Sequence, residues 1–349
     1  MGLTMGFIGF GKSTNRYHLP YINLRENIKV KTIMSRHEKV ELEQPYKEKG
    51  VNFVRTLDEL LNDEEIQLVS ICTPASTHYE FAKLAIEAGK NVLVEKPFCS
   101  TLGEAKELLK LGKTHGVMVM PYQNRRFDGD FLAVKQVLEQ GFLGEPIELE
   151  SHFDYYRKDN TEHIGTQVDG SFYGLGVHTI DRILALFGRP KTVSYDIRSI
   201  RNADSVDDYF DVSLFYGKLK AKVKTSHLVA KEYPQFILHG TKGSFIKYGP
   251  DQQENDLKAG IMPDAPNFGE DSPMYYGKVK YQNTNGDWIE KQIKTPIGDY
   301  GRVYDAVYDT LVNGAPKLVS DEEVLTNIEI LEGGFKQPSP SAYHLEELD

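Results

Sequence analysis

An apolar run, Leu3-Thr4-Met5-Gly6-Phe7-Ile8, leads without a break into Gly9-Phe10-Gly11 and then into residues patterned as a helix. A strand that feeds a helix through two glycines one residue apart leaves few architectures open. Such a turn lets backbone N–H groups approach an anion at the helix N-terminus, as a dinucleotide pyrophosphate requires. Gly9, Phe10 and Gly11 are therefore candidate cofactor contacts. Thr14 stands where a third glycine or alanine usually permits close helix–strand packing, so the fingerprint is incomplete and needs support from the rest of the chain.

The second strand supplies it. Lys29 to Met34 alternates as a strand should, and it ends roughly twenty residues past the glycine turn, where an NAD site carries Asp or Glu for the ribose hydroxyls. This chain reads Ser35-Arg36-His37 there. A hydroxyl and a guanidinium with no carboxylate suit a ribose 2′-phosphate, so Ser35 and Arg36 predict NADP, with NAD as the alternative. Next come a helix at Leu57–Leu61, a buried strand Leu68–Cys72 ending in Thr73-Pro74, a helix from Thr77 to Ala88 opened by the capping-box spacing of Thr77 and Glu80, and a strand Asn91–Val94. Continuously apolar strands separated by helices predict a parallel sheet covered on both faces, an α/β Rossmann domain over residues 1–122.

Composition narrows the class further. A chain of 349 residues can bury two cores, and its formal net charge of -10 argues against nucleic-acid binding. No apolar stretch reaches membrane-spanning length, and a strand starting at residue 3 leaves no room for a signal peptide, which predicts a cytoplasmic protein. Met1-Gly2 opens like a myristoylation signal, but Gly6 stands where Ser or Thr is needed. Two cysteines, Cys72 and Cys99, suggest neither a disulfide framework nor a metal site.

After residue 122 the pattern changes. A helix is predicted over 125–141, then strands at 147–156, 192–198, 209–216, 219–228 and 236–239 with few helices between them. Residues 249–299, rich in Gly, Pro, Asn and Asp, read as long loops and hairpins, with a turn at Asn283–Gly286. Helices at 300–313 and from Ser320 to about Phe335 close the chain, the second with a Ser320/Glu323 capping box. Residues 123–349 are thus predicted to form an α+β domain with a large, mainly antiparallel sheet.

Two further motifs carry chemistry. Glu95-Lys96-Pro97 places an acid and an amine at the C-terminal end of a parallel strand, the edge at which open α/β sheets bind ligands. Gly176-Val177-His178 opens a helix, with Asp181 one turn later.

With Thr73-Pro74 and His78, these motifs resemble the Gfo/Idh/MocA family of glucose-fructose oxidoreductases and inositol dehydrogenases. Segments 121–128, which includes Gln123, and 150–156 look close to its YhhX-type oxidoreductases. The resemblance covers nearly the whole chain. It implies an N-terminal Rossmann domain, a C-terminal α+β domain with an open sheet, and hydride transfer between NAD(P) and a carbinol or carbonyl carbon of a sugar or cyclitol. It also implies homodimers or homotetramers assembled through that sheet. Hydride removal from an alcohol needs a base for the hydroxyl proton and a cation to lower its pKa, roles that fall to His178 and Lys96. By the same resemblance Glu95, Thr73, Pro74, His78 and Gln123 line the nicotinamide side, and Lys12, Ser13 and Thr14 face the phosphates. Tyr155, Tyr156 and Tyr173 offer a wall for the sugar ring, and Arg157, Asp169 and Asp181 offer polar substrate contacts.

One position departs from the pattern. Family dehydrogenases commonly carry an Asp four residues before the histidine, and here that residue is Gly174. Either Asp154 or Asp169 replaces it, or the substrate lacks the matching hydroxyl, or the chain does not catalyse. Three functions stay open: an NADP-dependent oxidoreductase, which leads; a nucleotide-sensing binding protein without turnover; and an NAD-assisted glycosidase.

Overall fold

The computed structural model describes residues 2–159 and 164–340. The chain divides into two compact units, one of residues 1–132, 250–271 and 296–328 and one of 133–249, 272–295 and 329–349. The strands in chain order are β1 Leu3–Ile8, β2 Ile28–Met34, β3 Asn52–Val54, β4 Leu68–Ile71, β5 Asn91–Val94, β6 Val119–Pro121, β7 Pro146–His152, β8 Thr192–Arg198, β9 Tyr209–Phe215, β10 Lys220–Ser226, β11 Phe236–Gly240, β12 Gly243–Lys247, β13 Gly277–Gln282 and β14 Trp288–Ile293. The helices are α1 Leu19–Ile22, α2 Val40–Lys47, α3 Leu57–Leu61, α4 His78–Glu87, α5 Leu102–His115, α6 Gly129–Glu139, α7 Val177–Phe187, α8 Gln252–Lys258, α9 Arg302–Asn313 and α10 Asp321–Gly333.

In the first unit β1 to β6 form a sheet in the order β3-β2-β1-β4-β5-β6, every pair parallel. Met5, Phe7, Leu68, Val69, Val92 and Leu93 are wholly buried, as strands covered on both faces must be. The order reverses direction at β1 and β4, the switch point at which such sheets open a crevice. The chain returns to this unit at 250–271 and 296–328, where Leu257, Phe268 and Tyr300 bury themselves around Tyr21 of α1.

In the second unit eight strands run in the order β14-β13-β12-β11-β7-β10-β9-β8. All neighbours are antiparallel except β7 and β10. Along β10 Ala221 and Val223 are buried, while Lys220 and Lys222 keep partial exposure on the other face. The buried face carries α7, whose first eight residues are all buried.

Several expectations shift. The helix expected over 125–141 is a short 3-10 turn, Asn124–Phe127, followed by α6, the break falling at extended Asp128. The Thr77/Glu80 capping box does not form. The Thr77 hydroxyl turns back to the Pro74 carbonyl at 2.7 Å and to Thr73 at 2.8 Å. The box at Ser320/Glu323 does form, with bonds of 2.8 and 3.2 Å. Residues 249–299 do hold a hairpin at Asn283–Gly286, but its arms β13 and β14 are regular sheet strands, and α8 precedes them. Among the described residues no helix is long and apolar enough to cross a membrane.

Candidate active site

The glycine turn sits at the end of β1. Gly9 has φ +106, and a Cβ there would lie 2.5 Å from the Cys72 carbonyl, so no other residue can hold β1 this close to β4. At Gly11 the space beside the backbone is open. Thr14, expected to face phosphates, is instead fully buried, and its hydroxyl donates to the Gly9 carbonyl at 2.9 Å. It secures the turn from inside. Lys12 is exposed and Ser13 half-buried, the latter bonded to Glu95.

At this switch point lies a cavity of about 320 Å³, lined by the ends of β1, β2 and β4, including Gly9, Gly11, Arg36, Lys39, Thr73 and Pro74. None of the residues lining it is acidic. Arg36 is exposed at its rim, whereas Ser35 is buried and donates its hydroxyl hydrogen to the His37 carbonyl at 2.9 Å. The nearby carboxylate Glu43 is taken up by Arg55 at 2.9 Å and Lys47 at 2.9 Å. A glycine turn with open space at Gly11 and a cationic, carboxylate-free rim fit a dinucleotide: Gly9, Phe10 and Gly11 would hold its pyrophosphate, and Arg36 its ribose end.

Glu95 and Lys96 stand at the carboxyl end of β5, and Gln123 at that of β6, each two residues or fewer beyond the Val94–Pro121 pair. The Gln123 side-chain oxygen is buried without a hydrogen-bond partner, an acceptor left open on this edge. Beneath Glu95 lies a network that sequence reasoning missed. His18, wholly buried, holds Glu95 at 3.0 Å through Nε2, shares a 2.6 Å hydrogen bond with the Tyr304 hydroxyl through Nδ1, and stacks on Tyr122. Burial alone would raise the Glu95 carboxyl, but His18, Lys96 and Ser13 outweigh it and hold it at about 2. Burial pushes the Lys96 ammonium below its ordinary pKa, with Arg125 adding to the fall and Glu95 and Glu254 opposing it. The only sequence signal for His18 was its place four residues after Thr14, on the same helical turn.

His78, expected against the nicotinamide, is buried and spans two carbonyls, Pro97 at 2.7 Å and Thr73 at 2.9 Å. It ties the loop after β4 to the loop after β5 and so shapes the pocket without facing it.

In the second unit His178 lies in the first turn of α7, immediately after the π-helical turn Phe172–Gly176. Four residues earlier, one turn along the same helical face, Gly174 lines a cavity of about 280 Å³ with Arg157, Asp169, Ser171, Asp207 and His227. The structure separates the remaining candidates. Asp169 lines the cavity but accepts from the Thr166 N–H at 2.8 Å and hydroxyl at 3.1 Å. Asp154 is held by the Ser226 N–H at 2.8 Å and by His152. Asp181 and Tyr173 are buried and do not line the cavity, and Tyr156 is 55% exposed on the surface. Tyr155 packs edge-on to His227 beneath the Arg157 guanidinium, 3.8 Å away. Asp207 and His227 carried no sequence signal, since strand-flanking Asp and His are common.

A parallel six-stranded sheet with a glycine turn at its switch point in one unit, and an eight-stranded mixed sheet in the other, define a two-domain oxidoreductase architecture with a nicotinamide-dinucleotide domain. Residues 3–123 match the family model "Oxidoreductase family, NAD-binding Rossmann fold", and residues 135–343 match "Oxidoreductase family, C-terminal alpha/beta domain". The chain belongs to the Gfo/Idh/MocA oxidoreductase family. It is 56% identical to the Escherichia coli K12 protein "Uncharacterized oxidoreductase YhhX", over 99% of each chain. It is 35% identical to Bacillus subtilis "scyllo-inositol 2-dehydrogenase (NADP(+)) IolW", over 96% of this chain and 93% of that one. A solved oxidoreductase structure from Bacillus cereus is 70% identical and superposes with a TM-score of 0.96 over 99% of both chains.

Proposed function

We propose that this protein is an NADP-dependent dehydrogenase or reductase acting on CH–OH groups of a sugar-like or cyclitol substrate. In this reading residues 1–122 bind the cofactor, and residues 123–349 bind substrate and a second copy of the chain. The observation that carries it is Lys96, an amine of lowered pKa braced by an ionised, buried Glu95 on the sheet edge that also bears the dinucleotide cavity. The cationic rim at Arg36 favours NADP, with NAD the alternative, and the name of the Bacillus subtilis relative supports both cofactor and substrate class. The nicotinamide, when bound, supplies or accepts the hydride. Lys96 stabilises negative charge developing on the substrate oxygen, and His178 holds the hydroxyl proton.

The test is a panel of polyols and aldoses, scyllo-inositol first, with NADP and with NAD, followed by nicotinamide absorbance. Turnover with one of them is expected, with Lys96→Ala losing about two to four orders of magnitude in kcat and retaining cofactor affinity. Arg36→Asp should weaken NADPH relative to NADH by about 2–3 kcal/mol. Tight NADPH binding with no substrate-dependent absorbance change would favour the binding-protein reading. Glycoside cleavage without net cofactor change would favour the glycosidase.

A further inference from the structure

The cavity that Gly174 lines contains an acid that the proposed chemistry leaves unused. Asp207 is only 7% exposed and lines this cavity. Its Oδ2 accepts the Phe172 N–H at 2.7 Å, while its Oδ1 is buried with no hydrogen-bond partner. A buried carboxyl oxygen left without a donor is costly, and a protein keeps one only where something else satisfies it. Position 174 supplies the room. No atom lies within 4 Å of where a side chain on Gly174 would begin, and that open space belongs to the same cavity.

Most of the neighbouring charges are already engaged. Arg201 is bound to Asp208 at 2.6 Å, Asp169 caps Thr166, and Arg157 is exposed over the Tyr155 ring. Among the lining residues the buried polar side-chain atoms without a hydrogen-bond partner are Asp207 Oδ1 and His227 Nδ1. The His227 Nε2 meets the Ser171 hydroxyl at 3.3 Å. An acceptor and an imidazole nitrogen without hydrogen-bond partners suit a ligand whose hydroxyls both donate and accept.

We propose that Asp207 is the specificity-determining residue that hydrogen-bonds a substrate hydroxyl in this cavity, with His227 beside it and Gly174 kept small to admit the ring. This deepens the oxidoreductase reading and rests on it. Burial raises the Asp207 carboxyl to about 7, with the Asp208 charge adding to the rise and the Phe172 N–H opposing it. Burial, then Arg201 and Arg157, holds His227 down at about 4, so its imidazole is neutral when Asp207 titrates. The other charges around Asp207 are Arg157, Asp169, Arg201 and Asp208.

The experiment compares the full chain with Asp207→Ala and Asp207→Asn, each with NADP, using scyllo-inositol, myo-inositol, glucose and xylose as probes. Steady-state KM and kcat are followed from acid to alkaline pH, and binding is followed by calorimetry. Asp207→Ala should raise KM for the accepted polyol roughly 10- to 100-fold, with NADPH affinity unchanged. Asp207→Asn, which keeps an acceptor for Phe172 and guards against a folding artefact, should lose less affinity and abolish the inflection of KM near pH 7. Wild-type KM and wild-type pH dependence in both variants would overturn the assignment of Asp207 alone. If the wild type binds NADPH but none of the polyols, the substrate class falls, and this proposal falls with it.

Discussion

Glu95 shows how one buried carboxylate can govern the chemistry of its neighbour. It receives His18 at 3.0 Å, bonds Ser13 and accepts the Lys96 backbone N–H at 2.9 Å, so its charge is fixed in place directly beside the Lys96 side chain. A fixed negative charge favours the ammonium form, and Glu95 accordingly opposes the fall in the Lys96 pKa that burial causes. Glu95→Gln removes the charge and keeps the shape. The Lys96 pKa should then drop further, and the alkaline limb of kcat, above which the ammonium is lost, should move to lower pH. A pH–rate profile on the accepted polyol measures this, and an unmoved limb would sever Glu95 from Lys96.

At the level of elements, β1, β4 and β5 of the parallel sheet were legible because they are apolar runs and β2 because it alternates after a glycine turn, whereas the three-residue strands β3 and β6 are too short to show a pattern. Strands β13 and β14 were not legible either, because Lys278, Lys280, Glu290 and Lys291 make them polar strands at the edge of the sheet. Only their turn announced them. The Asn283 side chain accepts the N–H groups of Asn285 at 2.9 Å and Asp287 at 2.9 Å, and Gly286 takes φ +89. Both features are written in the residue types. Gly286→Ala should therefore cost about 1 kcal/mol or somewhat more in urea unfolding, against a few tenths for an alanine at a neighbouring exposed position. The site was legible in the same uneven way. Lys96 and His178 stand in motifs tied to strand and helix ends, and the glycine turn gave the cofactor edge. His18 meets Tyr304 in the first unit, and Asp207 and His227 share a cavity in the second, only through packing between segments apart in sequence, which no local spacing reports. Thr14 and His78 sat at the expected positions in the chain but face inward, because a buried hydroxyl and a buried imidazole each found a carbonyl to hold.

For the molecule as a whole, the same two acids set opposite ends of a stability profile. Glu95 has a folded pKa of about 2 against roughly 4.3 for an unfolded glutamate, so its contribution is complete above the unfolded value and is lost as pH falls toward the folded one. Glu43, held at about 2 first by Arg55 and then by Lys47, acts in the same direction. Asp207 has the reverse sign. Its folded pKa of about 7 lies above the roughly 3.9 of an unfolded aspartate, so stability is greatest below that unfolded value and declines until pH 7, above which the deficit is constant. Its full deficit is on the order of 4 kcal/mol, at 1.36 kcal/mol for each pH unit between roughly 3.9 and about 7. Chemical denaturation across pH should thus show Asp207→Asn gaining on the wild type as pH rises from about 4, with the gain levelling off beyond pH 7. Glu95→Gln should show the opposite pattern, with a lower plateau at neutral pH that converges on the wild type in acid. A variant difference at Asp207 that stayed constant across this range would mean that its carboxyl is not buried as described. The hydroxyl-binding role would then lose the orphaned oxygen on which it stands.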